Sequence, residues 1–220
     1  WKIVERGTPE ERTAALVTIG FADDGWAVAS QLLRHATTAP SPEAETAARA
    51  LLRQSERWTP LYLETNDVPS DVLATLSTPL VNATLRSTLA AQVRVPLIGA
   101  AGRLIELGRV QENDLRGLLN DGEPEVRLAT IDMLRRLPRR SLAGLDLVIA
   151  GDREPRVAAA AAAALCYDVP PVSGTTFAEA RVQATSAPSQ ARVRALAEDA
   201  TVPLIDRLDL LACLRVFGTP

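Results

Sequence analysis

Leu118-Leu119-Asn120-Asp121-Gly122-Glu123-Pro124-Glu125-Val126-Arg127 and Ile149-Ala150-Gly151-Asp152-Arg153-Glu154-Pro155-Arg156-Val157 carry nearly the same pattern twice. Asp121 and Asp152, Pro124 and Pro155, and Val126 and Val157 fix one register, 152 − 121 = 31 residues apart. A period of that length is the mark of stacked helical hairpins. Each such hairpin has two apolar faces and buries them only against neighbours.

Working outward, Glu123-Pro124 opens a helix with Val126, Thr130, Met133, Leu134 and Leu137 inward, and Pro138 ends it. Residues 141–150 form its partner through Leu142, Leu145, Val148 and Ile149. Glu154-Pro155 opens the next, in which Ala158 to Ala164 is an unbroken alanine run, suited to a tightly packed inner helix. Upstream, Val93-Arg94 begins a helix with Leu97, Ala101, Leu104 and Ile105 on one stripe and Gly108 as its stop. Residues 111–120 follow as a short second helix.

Towards the N-terminus, Thr8 caps a helix over 8–19, with Pro9 in its first turn and Glu10 and Glu11 at the positive end of its dipole. A second segment runs from Trp26 to His35, and Ser41-Pro42-Glu43 starts a third helix that ends near Ser55. Residues 56–80 are irregular, since Pro60, Pro69 and Pro79 interrupt any long helix. Short helices are expected there, one from Ser70-Asp71 to Leu76 and another opened by Pro79-Leu80. Residues 168–188 form a Pro-rich connection, and 190–199 and 202–217 read as two more helices. Val202-Pro203-Leu204-Ile205 repeats the letters of Val95-Pro96-Leu97-Ile98, which points to a further degenerate unit.

Composition narrows what such a chain binds. Hydrophobic residues make up 47% and aromatics 4%, so the core is built from Ala, Leu and Val, and base-stacking platforms are scarce. The net charge of −3 lacks the basic excess of a nucleic-acid binder. Lys2 is the only lysine, a bias expected of a GC-rich bacterial gene. No run of about 18 apolar residues exists to span a membrane. The sequence starts at Trp1 rather than Met, which fits removal of an export signal or a fragment of a longer protein.

"LLNDGEPEVRLATIDMLRRL", Leu118 to Leu137, resembles a HEAT repeat, with Asp121, Pro124, Val126 and Arg127 where such repeats place those residue types. "IAGDREPRVAAAAAAAL", Ile149 to Leu165, is similar but has Ala158 in place of the arginine. "QVRVPLIGAAGRLIEL", Gln92 to Leu107, matches through Val93, Arg94 and its apolar stripe. The resemblance covers residues 91–167. It implies an all-α fold, an α-α superhelix of about five or six hairpins in a single domain over 1–220. It also implies that Asp121, Arg127, Asp152 and Arg94 form a structural ladder between units.

Little points to catalysis. His35 is the only histidine, so neither a histidine triad nor a three-histidine metal site can be assembled. Asp23-Asp24 lacks the further oxygen ligands of a cation site. Some HEAT-like proteins are DNA glycosylases that use Trp and Asp, and Trp26, Trp58 and Asp71 are present, but the acidic balance opposes that alternative. Bilin lyases are built from similar repeats, without a supporting residue pattern here. The expectation is therefore a non-enzymatic protein-interaction or scaffold module with no cofactor, no metal, no nucleic acid and no membrane insertion. Arg135, Arg136, Arg139 and Arg140 are the candidate patch for an acidic protein partner. Cys166 and Cys213 are either buried thiols or a disulfide, and a disulfide predicts a periplasmic or extracellular location rather than a cytoplasmic one.

Overall fold

The computed structural model describes residues 1–58, 70–137, 144–168 and 186–217, and every regular element among them is a helix. They are α1 (Lys2–Arg6), α2 (Pro9–Phe21), α3 (Ala29–Thr38), α4 (Ser41–Ser55), α5 (Ser70–Leu85) and α6 (Ala91–Glu106). After these come α7 (Asn113–Arg116), α8 (Pro124–Arg136), α9 (Leu145–Gly151), α10 (Pro155–Asp168), α11 (Ala187–Glu198) and α12 (Leu204–Phe217). Single 3-10 turns cover Gly25–Val28 and Gly117–Asn120. No described helix is long and apolar enough to cross a membrane.

Local chemistry sets the helix starts. Thr8 and Glu11 form a reciprocal capping box on α2, with the Thr8 N–H donating to Glu11 Oε2 at 2.8 Å. Pro9 and Pro124 are the first residues of α2 and α8, where a missing N–H breaks no helical bond. Arg57 closes the other end of α2 by donating to the carbonyls of Phe21 and Ala22 at 2.9 and 2.8 Å.

The chain divides into two compact units, Trp1–Leu118 and Leu119–Pro220. In the first, α2, α4 and α6 pack in a row, α4 touching both neighbours, while α3 lies on α4 and α5, and α5 on α6. The second repeats this with α8, α10 and α12 in a row, α9 on α10 and α11, and α11 on α12. The alanine run lies in the middle helix of that row, and Ala158, Ala159 and Ala161 to Ala164 are all buried, because methyl side chains let four neighbouring helices approach α10. In the first unit Gly20 meets Ala50 just as closely, since a Cβ on Gly20 would lie 3.2 Å from Ala50 Cα.

Two expectations about helix boundaries fail. Residues 70–85 form one helix, so Pro79 opens nothing and sits inside α5. Leu73, Leu76, Leu80 and Ala83 share one face and are all buried, whereas Pro79 is exposed, so burial of the stripe outweighs the roughly 3 kcal/mol of an interior proline. The repeated letters Val-Pro-Leu-Ile are also out of structural register, because Pro96 lies inside α6 while Pro203 precedes α12. The expectations for 59–69, 138–143 and 169–185 fall outside the described residues.

Candidate functional site

The fourth residue of each helix in the two rows follows one pattern. It is Arg12, Ala44 and Arg94 in α2, α4 and α6, and Arg127, Ala158 and Arg207 in α8, α10 and α12. In both units the first arginine joins its helix to the next one in the row. Arg127 grips Asp152, in the turn before α10, through Nε to Oδ2 at 2.8 Å and Nη2 to Oδ1 at 2.9 Å, a fork-on-fork contact. Its Nη1 donates back to the Asp121 carbonyl at 2.8 Å and the Gly122 carbonyl at 3.3 Å. Asp121 and Asp152 each accept the backbone N–H two residues on, at 3.0 and 2.9 Å, and so shape the turns before α8 and α10.

Arg12 does the same work in the first unit. Its Nε and Nη2 donate to Glu43 Oε1 at 3.0 and 2.7 Å, and its Nη1 reaches the Gly7 carbonyl at 3.3 Å. The other Glu43 oxygen lies 3.2 Å from His35 Nε2, and the His35 ring meets Trp1 edge-on. The Arg12 hydrogen bond holds the Glu43 carboxyl below its usual range, against the upward push of burial and with a smaller lowering from His35. The hydrogen bond that Arg127 donates to Asp152 likewise raises Arg127, against desolvation.

Arg94 is buried and donates through Nε to the Thr84 carbonyl at 2.9 Å. Arg207, its counterpart in the second unit, has its Nε buried without a hydrogen-bond partner. Asp199, before α12, adopts the same turn as Asp121 and Asp152, accepting the Thr201 N–H at 2.8 Å. Its carboxyl is lowered mainly by the Thr201 hydroxyl, with smaller contributions from the charges of Arg192 and Arg207.

Most of the remaining charged side chains are tied into the fold. Beside Glu43 lies a cleft of about 440 Å³, lined also by Trp1, Gln31 and Arg34, in which Arg12 and His35 both bond Glu43 while the buried Gln31 Oε1 has no hydrogen-bond partner. Arg136 pairs with Asp132 one turn back on the exposed side of α8, while Arg139 and Arg140 lie outside the described residues. Asp23 accepts from Arg57 at 3.1 Å. Trp58 is buried, which removes it from any groove surface, whereas Asp71 is exposed. No cluster of three or more metal-ligating side chains exists among the described residues. Cys213 is buried with Sγ 3.7 Å from the Ala162 carbonyl and is not a free thiol, and the Cys166 side chain lies outside the described residues.

Large apolar side chains are nevertheless left in water. Leu204, Ile205, Leu208 and Leu211 are 64%, 66%, 52% and 48% exposed, and their spacing puts them on one face of α12. Leu210 and Cys213, on the opposite face, are buried where α12 packs on α10. Compared with family models, curated proteins and solved structures, the chain gives no match. Reading the sequence for 31-residue echoes missed the Arg12–Glu43 contact and the Arg207 position. The available signal was an arginine three residues after a helix-opening proline, present at Pro9 and Arg12 as at Pro124 and Arg127.

Proposed function

We propose that the chain is a non-enzymatic protein-interaction module of HEAT-like character, each of its two units a stack of helical hairpins. The observation that carries this reading is the exposed apolar face of α12. A helix that packs on one side and offers four large aliphatic side chains on the other is a surface for a protein partner. The arginine contacts support the same reading, since Arg127 and Arg12 spend their charge on joining helices rather than on presenting a reactive group. In this reading Asp121, Arg127, Asp152 and Arg94 are architecture, and a Cys166–Cys213 disulfide clamps α10 to α12.

Two binding measurements test the module. Chemical crosslinking in the native source, followed by capture of the wild type and of Leu208→Asp, is expected to give protein adducts that the substitution removes. Double-stranded DNA titrated at low salt is expected to stay unbound, because electrostatic attachment needs a basic face. DNA affinity matching that of basic DNA-binding proteins overturns the reading in favour of a glycosylase-type enzyme.

A further inference from the structure

We infer that the cleft beside Glu43 is a binding site for a short zwitterionic peptide, whose two charged ends it holds. The charges inside the cleft point there. Arg12 and His35 both bond Glu43, so these three groups satisfy one another and are not left for a ligand. Glu5 of α1 and Arg34 of α3 line the same cleft, are exposed, and make no ion pair with any described residue. One free anion and one free cation, each on its own helix, select a ligand that carries both signs.

Between those charges the lining is apolar at Val4, Ala39, Pro40 and the Trp1 ring. His35 meets that ring edge-on at 6.1 Å between centroids, and Glu43 in turn holds His35 at 3.2 Å. An aromatic wall braced in this way takes up an apolar body with little further loss of side-chain freedom. The volume of about 440 Å³ falls in the range of small-ligand sites, about 300–1,000 Å³. Gln31 decides between a peptide and other zwitterions. Its Oε1 is buried without a donor, a state that buried polar atoms rarely keep. The last torsion of a glutamine is soft, so the amide turns to the cleft when a peptide N–H enters, and the oxygen gains its partner. A free amino acid has no amide N–H, and a betaine has no N–H at all. Every residue of the site belongs to the first unit, so the inference goes beyond the interaction-module reading and does not depend on the α12 face.

The test is an NMR titration of the full chain with di-, tri- and tetrapeptides of leucine and alanine, free at both ends, with calorimetry for affinity and circular dichroism melts confirming that each variant folds. At least one length is expected to bind saturably and to shift the indole N–H resonance of Trp1 while that of the buried Trp58 stays in place. Acetylating the peptide's amine or amidating its carboxylate is expected to lower affinity about two- to fivefold each, the range of a solvent-screened ion pair. Arg34→Gln is expected to erase the difference between free acid and amide, and Glu5→Gln that between free amine and acetyl. Gln31→Leu is expected to weaken binding about three- to tenfold while raising Tm, because it removes the unmatched acceptor. A loss of stability with unchanged affinity would make Gln31 merely structural and overturn the choice of a peptide. Failure of every length to bind overturns the inference, and so does binding that ignores the blocked ends or survives Arg34→Gln and Glu5→Gln unchanged.

Discussion

Arg127→Ala removes four hydrogen bonds at one stroke, two of them the bidentate grip on Asp152 and two to the carbonyls of the turn before α8. The Arg127 and Asp152 side chains are 13% and 7% accessible, so the pair sits at the edge of the core and is largely withdrawn from solvent. Hydrogen bonds to charged groups contribute about 1.5–3 kcal/mol, and stripping one partner from a buried pair costs about 3–5 kcal/mol. Asp152 keeps its bond from the Glu154 N–H, which places the loss near the lower end, at about 3 kcal/mol. For a chain of this size that lowers Tm by about 6–12 °C. The decisive assay is a double-mutant cycle by urea unfolding with Arg127→Ala, Asp152→Ala and the double variant. The double variant is expected to lose about 1.5–3 kcal/mol less than the sum of the single losses, because Asp152→Ala removes the charge that Arg127→Ala leaves stranded. Additivity within about 0.5 kcal/mol would refute the ladder, whatever the single variants do.

Glu43→Gln tests the equivalent contact by pH. The Glu43 carboxyl is lowered in the fold, so its charged form adds stability above the ordinary value of 4.5, and that contribution is lost as pH falls through the lower folded value. Thermal melts are expected to show a Tm deficit for Glu43→Gln at neutral pH that closes as the medium is acidified below about 4.5; a deficit constant with pH would disconnect the carboxylate from Arg12. Pro79→Ala is expected to raise Tm by a few degrees, since an exposed interior proline costs a helix up to about 3 kcal/mol, and an unchanged or lowered Tm would contradict its place inside α5. Thiol titration of unfolded protein is expected to find no reactive cysteine before reduction and two after it. The loop between Cys166 and Cys213 spans 213 − 166 = 47 residues, for which closure contributes roughly 4 kcal/mol. Two thiols without reduction would remove the clamp and with it the argument for an oxidising compartment.

What was legible in the sequence followed from short-range physics. The capping box at Thr8, the prolines that open α2 and α8, and the inward stripe Val126, Thr130, Met133, Leu134 and Leu137 are each decided within a few turns, and the structure buries every member of that stripe. Pro79 was misleading because a local rule met a stronger tertiary one: the carbonyl left without its partner costs less than exposing Leu73, Leu76 and Leu80. The arginine positions were hidden for a different reason. Their acceptors are chemically interchangeable, a turn Asp for Arg127, a first-turn Glu for Arg12 and a backbone carbonyl for Arg94, so no fixed spacing between donor and acceptor survives in the letters. What persists is the donor's place in its helix, and that becomes countable only once the helix starts are known.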